Sequence, residues 1–163
     1  VGTIEPRKNL HRLAAAVGRV AAGRGAPLPL VVAGADGWGD DAAPSGDDVR
    51  FVGFVDERDL PGLYAAATVF AYPSEREGFG LPVLEAMAQG APVVTSRGTS
   101  TEEVAGGAAV LVDPFDVDDI ARGIEQALGD PDALAERGLA RAAAMTWRAT
   151  ADRTLEIYRQ VAR

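Results

Sequence analysis

Two carboxylates, Glu77 and Glu85, flank a glycine-bearing turn in the stretch EREGFGLPVLEAMAQG, residues 75–90. Gly78 and Gly80 permit backbone conformations closed to other residues and allow a ligand close to the main chain. Pro82 suits the first turn of a helix whose apolar face is Val83, Leu84, Met87 and Ala88. The amides from Phe79 to Val83 then crowd the positive end of that helix, where an anion is stabilised. Glu85 is expected in the first turn, where its charge suits the dipole. An ionised carboxylate only accepts hydrogen bonds, so it opposes a phosphate and suits a pair of sugar hydroxyls. One segment can thus hold an anion through amides and hydroxyls through acids. The plainer readings are a capping Glu85 and a surface Glu77. Spacing alone decides little; the ordered string of strand, Pro73-Ser74, Glu77, GFG, Leu81-Pro82 and Glu85 carries more.

A second loop, GTIEPRKN (2–9), places Arg7 and Lys8 directly ahead of a helix that Asn9 can cap. Two cations beside unpaired helix amides make a seat for a phosphate, against the plain alternative of a solvated turn. Lys8 is the chain's one lysine among 16 lysine and arginine residues.

These loops need a scaffold. LPLVVAG (28–34), VRFVG (49–53), TVFAY (68–72), APVVTS (91–96) and AAVLVD (108–113) are short, β-branched apolar runs that read as buried strands. Amphipathic segments alternate with them. Leu10, Leu13, Ala14, Val17 and Val20 share one helical face. Asp116 caps a helix with Val117, Ile120, Ile124 and Leu128 inward and Gly129 closing it. The alternation predicts βαβ units and an α/β, Rossmann-like parallel sheet with helices on both faces. Counting a clipped strand at 1–4 gives about six strands, with ligands expected beyond their carboxyl ends. The end of the chain is helical, after Asp130-Pro131 and again after Thr146, with Trp147, Ala151, Leu155 and Tyr158 on one stripe. Residues 34–48 form a polar loop rich in turn formers.

Composition narrows the function. A net charge of −8 opposes a general nucleic-acid surface, which needs a basic face. No cysteine and a single histidine, His11, leave neither a thiolate nor a histidine-cluster metal site. No apolar run reaches membrane-spanning length, and a cytoplasmic protein is the default expectation. No Walker-type phosphate loop occurs. The opening VGTI reads as a strand already under way, so a fragment is expected.

The string PSEREGFGLPVLEAMAQGAPVVTS resembles the E-x7-E region of retaining GT-B glycosyltransferases of the family 4, or group 1, type. VGTIEPRKNL is similar to the start of their C-terminal donor-binding domain, and EEVAGGAAVLVDP and TWRATADRTLEIYRQV to its later parts. The resemblance covers essentially the whole chain. It implies one half of a GT-B fold over residues 1–163, with extra C-terminal helices, and transfer of a hexose such as mannose with retention. The donor would be a GDP-, UDP- or ADP-linked sugar, and the acceptor a glycan, lipid or small molecule, without an obligatory metal or cofactor. By resemblance Lys8, with Arg7 as helper, neutralises the diphosphate, and Lys8 and Glu77 are the catalytic pair. Glu77 contacts the transferred sugar, Glu85 the ribose, and Gly78, Phe79, Gly80 and Leu81 line the sugar and phosphates. Many members carry an arginine where this chain has Thr3, which makes Arg7 a less secure contact than Lys8. Base recognition is expected near 53–56 and 34–38. The N-terminal acceptor domain would lie outside the chain, leaving it inactive alone, prone to self-association through Trp147, Leu155 and Tyr158, and meeting a membrane only peripherally in the full-length protein. The alternative from another class is a sugar-nucleotide binding or interaction module without catalysis.

Overall fold

In the strands between residues 70 and 112 successive side chains point to opposite faces, and the two sets pack under different helices. In the computed structural model, which describes residues 1–35, 37–38, 44 and 48–162, the order begins with a 3-10 turn at Pro6–Lys8. There follow α1 (Leu10–Arg24), β1 (Leu30–Ala33), β2 (Val49–Gly53), α2 (Leu60–Ala65), β3 (Phe70–Tyr72) and α3 (Leu81–Ala88). The second half holds β4 (Val93–Ser96), α4 (Ser100–Ala105), β5 (Val110–Val112), α5 (Val117–Gly129), α6 (Pro131–Ala144) and α7 (Trp147–Val161). Positions 36, 39–43 and 45–47 of the polar loop, and the part of the base-recognition stretch falling on them, lie outside the described residues.

All pairing is parallel. β1 pairs with β2, Leu30 opposite Val49, and β3, β4 and β5 form a second ladder with Phe70 opposite Val93 and Val94 opposite Val110. Val94, Val110 and Val112 pack under Leu13, Val17 and Val20 of α1 and Ile120 and Ile124 of α5. Val93, Phe70 and Tyr72 pack on the other side with Val83 and Met87 of α3 and Val104 of α4. Helices therefore cover both faces, and β4, buried along its whole length, is the centre of its ladder.

Two details correct the sequence reading. The described strands number five in two ladders, not about six in one sheet. Residues 1–4 do run beside β1, with Gly2 and Ile4 amides donating to the Ala33 and Ala35 carbonyls at 2.9 and 3.1 Å. Gly2, however, has φ +115°, outside extended backbone, so the segment does not continue as a ladder strand. Asn9, expected as a cap, makes no capping bond. It adopts φ +60°, a conformation asparagine tolerates, and its amide donates to the carbonyls of Pro73 and Pro114 at 2.9 and 2.6 Å. The start of α1 is thereby tied to the ends of β3 and β5.

Asp116 and Thr146 do cap α5 and α7, accepting from Asp118 and Asp119 amides and from the Ala149 amide. No residue of α7 is buried, and Trp147 is 85% exposed, with Leu155 and Tyr158 also exposed.

Candidate functional site

The 3-10 turn and the turn ahead of α3 meet at the carboxyl ends of the strands. The Glu75 amide donates to the Arg7 carbonyl at 2.9 Å, which fixes one loop to the other through backbone alone. Glu77 sits at their junction. Lys8 Nζ donates to its Oε1 at 2.8 Å, and Arg7 Nη1 to its Oε2 at 2.6 Å. The Tyr72 hydroxyl donates to Oε1 at 2.8 Å and itself accepts from Lys8 Nζ. Lys8 also lies over the Tyr72 ring, 4.7 Å from its centroid. The side chains of Glu77 and Lys8 are only 8% and 10% exposed, so neither is a solvated surface charge.

Burial alone would raise the Glu77 pKa, but hydrogen bonds from Lys8, Tyr72 and Arg7 outweigh it and hold the carboxyl below its ordinary range. Burial pushes the Tyr72 phenol up, and its bond to Glu77 pushes it further, so it stays a donor. Arg7 Nε is also held by Glu5 at 2.7 Å. Both cations are thus engaged by carboxylates, and an anion reaching them must share them with Glu77.

Glu85 departs from the sequence reading. Gly80 stands at the N-cap and α3 begins at Leu81, so Glu85 falls in the second turn and no acidic residue lies in the first. Its Oε2 accepts from the Tyr64 hydroxyl at 2.8 Å. Tyr64 meets Phe70 edge-on at 5.3 Å, and Phe70 stacks with Tyr72 at 5.7 Å. A run of three rings therefore separates the two carboxylates, one hydroxyl serving each. Lys8, Tyr64 and Tyr72 all line the same cavity.

Gly80 has φ +102°, and a Cβ there would stand 2.7 Å from Thr101 Cγ2. Gly80→Ala is expected to destabilise the chain by about 1–3 kcal/mol, from backbone strain and overpacking, as measured by urea unfolding. Phe79 and Leu81 are exposed at the rim beside it. Val83 N donates to the Gly80 carbonyl and Pro82 has no N–H, which moves the expected anion-facing amides forward to 79–81. Around Gly78 a Cβ would meet nothing within 4 Å.

Sequence reasoning brought Lys8, Arg7 and Glu77 together but missed Tyr72, Tyr64, Glu5 and Ser100, whose hydroxyl donates to the Glu77 carbonyl at 2.9 Å. Tyr72 carried a usable signal, a tyrosine closing a strand just before the Glu77 turn. Among the described residues, no group of three or more acidic or histidine side chains is placed to hold a metal, and no helix is long and apolar enough to cross a membrane.

The family model for glycosyl transferases group 1 matches residues 1–144. The chain belongs to the glycosyl transferases group 1 family. This group 1 domain is similar to the O-antigen chain mannosyltransferase B of Escherichia coli, 41% identical over 169 residues, covering 98% of this chain and 44% of that protein. Among solved structures it is similar to sucrose-phosphate synthase of Thermosynechococcus elongatus, with TM-score 0.74 and 29% identity over 98% of this chain and 45% of that one. It is also similar to Anabaena Alr3699/HepE in complex with UDP, with TM-score 0.71 and 25% identity over 86% of this chain and 43% of that one. The group 1 chain spans less than half the length of each. The fold is the α/β, GT-B-type architecture with parallel strands and helices on both faces.

Proposed function

We propose that the chain binds the nucleoside diphosphate sugar of a retaining hexosyltransferase. One observation carries this reading: Lys8, Arg7 and Glu77 converge at the glycine turn that opens α3. Lys8 and Arg7 take the diphosphate, Glu77 the transferred sugar, Glu85 the ribose hydroxyls, and the backbone of 78–81 lines the space between. When the bond from the sugar's anomeric carbon to the diphosphate oxygen breaks, both electrons stay on the leaving diphosphate. A fixed ammonium beside it lowers the barrier, because a preorganised cation needs no reorganisation as charge develops. Diphosphate would replace Glu77 as partner of the two cations, freeing that carboxylate for sugar hydroxyls. The UDP bound by the Anabaena relative supports a nucleotide donor, and the Escherichia coli mannosyltransferase supports mannose as the sugar.

Calorimetric titration with GDP, UDP, ADP and their sugar conjugates tests this. One nucleoside diphosphate is expected to bind, and Glu85→Ala to weaken it by about tenfold while leaving inorganic pyrophosphate unchanged, the loss of charge-assisted bonds to hydroxyls. The chain alone is expected to transfer sugar very slowly or not at all. Failure of every nucleotide to bind would end the reading, and robust turnover by the chain alone would end the requirement for a second domain.

A further inference from the structure

The Tyr72 hydroxyl stands between the cation and the carboxylate of the site. Its one proton goes to Glu77 Oε1 at 2.8 Å, and its oxygen accepts from Lys8 Nζ. Lys8 Nζ donates to the same Oε1 at 2.8 Å, so the three groups close a triangle. Donor binding as read above opens that triangle. A diphosphate that takes Lys8 and Arg7 from Glu77 turns the carboxylate toward sugar hydroxyls and away from the phenol. Tyr72 is buried, so its O–H then loses an acceptor that water does not replace, and that loss opposes the ligand.

A second acceptor stands beside it. Ser74 is wholly buried, and among the described residues its Oγ is the one buried side-chain oxygen or nitrogen without a hydrogen-bond partner. It lies close enough to the Tyr72 hydroxyl to oppose the rise in that phenol's pKa, yet it makes no hydrogen bond. A buried polar atom left unpaired in a native fold calls for an explanation, and a partner gained in a second state is one. The surrounding backbone is held. Thr95 Oγ1 donates to the Tyr72 carbonyl at 3.0 Å and Ser96 Oγ to the Ser74 carbonyl at 2.6 Å, which pins both residues to β4. Ser100 Oγ pins the Glu77 carbonyl at 2.9 Å, and the Tyr72 ring is stacked on Phe70 at 5.7 Å. What can still turn is the Glu77 side chain and the Tyr72 O–H bond.

We propose that Tyr72 is a positioning residue of the donor site, its hydroxyl donating to Glu77 in the free protein and to Ser74 when a diphosphate is bound, while its oxygen accepts from Lys8 in both states. This rests on the donor-site reading and adds to it how the cation stays in place as its carboxylate partner leaves. The phenol keeps its proton throughout; only the hydrogen bond is redirected. An ammonium already fixed by an uncharged oxygen meets the diphosphate without rearranging, which is the preorganisation that a developing charge requires.

The first test needs no nucleotide. Glu77→Leu replaces the carboxylate with an apolar side chain that accepts no bond, leaving the Tyr72 hydroxyl with Ser74. Ser74→Ala alone is expected not to lower Tm, since the deleted hydroxyl has no partner in the free protein. In the Glu77→Leu background the same change is expected to lower Tm by about 3 °C or more, because a buried phenol then lacks any acceptor. The second test is titration with inorganic pyrophosphate. Ser74→Ala is expected to weaken its binding by about three- to tenfold, the loss of one hydrogen bond. In a Tyr72→Phe background Ser74→Ala should change that affinity by less than about twofold, as the two residues act through one bond. If Glu77→Leu fails to fold, this pyrophosphate cycle decides alone. Equal Tm changes in the two backgrounds, or pyrophosphate losses that add, would overturn the proposal and leave the donor-site reading standing. Should wild type bind neither pyrophosphate nor any nucleoside diphosphate, the reading and the proposal end together.

Discussion

Lys8→Ala is expected to weaken nucleoside diphosphate binding by about 10- to 100-fold and to lower kcat of the full-length enzyme by about 100- to 1,000-fold. The first figure follows from losing hydrogen bonds to a charged group in a mostly buried setting, worth about 1.5–3 kcal/mol. The second follows from removing a fixed cation beside a leaving diphosphate. Arg7 cannot substitute, because its guanidinium is shared between Glu5 and Glu77 and is 41% exposed, so water screens it. Lys8→Arg should rescue poorly: the ammonium sits over the Tyr72 ring at 4.7 Å, and a planar fork does not reproduce a point-charge contact there. Titration with a nucleoside diphosphate and with the matching nucleoside separates the roles. The diphosphate should lose affinity and the nucleoside should not. Equal affinity of Lys8→Ala and wild type for the diphosphate would remove Lys8 from the site.

The convergence of Lys8, Arg7 and Glu77 was legible because each stands on a loop leaving the carboxyl end of an apolar run, and parallel sheets bring such loops together. Local signals also sufficed for α5 and α7, whose caps Asp116 and Thr146 bond amides within three residues. Asn9 was not legible, because the carbonyls it binds belong to Pro73 and Pro114, far along the chain. Tyr72 ends a run that reads as a buried strand and Tyr64 drew no reading; as rings both are core. Their hydroxyls gain meaning only where Glu85 and Glu77 arrive at the ring edges. Glu85 was misplaced by a turn because its charge suggested the helix start, while the start itself is set by the positive φ of Gly80. The strand count failed for a similar reason: hydropathy shows that 1–4 is apolar, and nothing in it reports the backbone angle of Gly2.

Glu77→Gln is expected to destabilise the chain by about 2–4 kcal/mol at pH 7, as removing the carboxylate of a mostly buried ionic cluster leaves Lys8 without a counter-charge, while Arg7 keeps Glu5. Lys8 would keep only the Tyr72 hydroxyl and a neutral amide, and at 10% exposure water cannot replace the carboxylate. The pH dependence has a definite sign. The folded pKa of Glu77 lies below its ordinary 4.5, so its contribution is fully present above that value and is lost as pH falls through the folded pKa. The stability gap between wild type and Glu77→Gln should therefore be constant from pH 6 to 7 and close in acid, as followed by thermal unfolding at each pH. Anion binding should move the other way. With the competing carboxylate gone, inorganic pyrophosphate is expected to bind Glu77→Gln about tenfold more tightly, since one opposing charge has left a low-dielectric site. A mutation that merely loosened the fold would lower stability and anion affinity together, whereas a carboxylate that occupies the phosphate's place must lower one and raise the other. Unchanged stability with unchanged pyrophosphate affinity would show that Glu77 holds nothing in place.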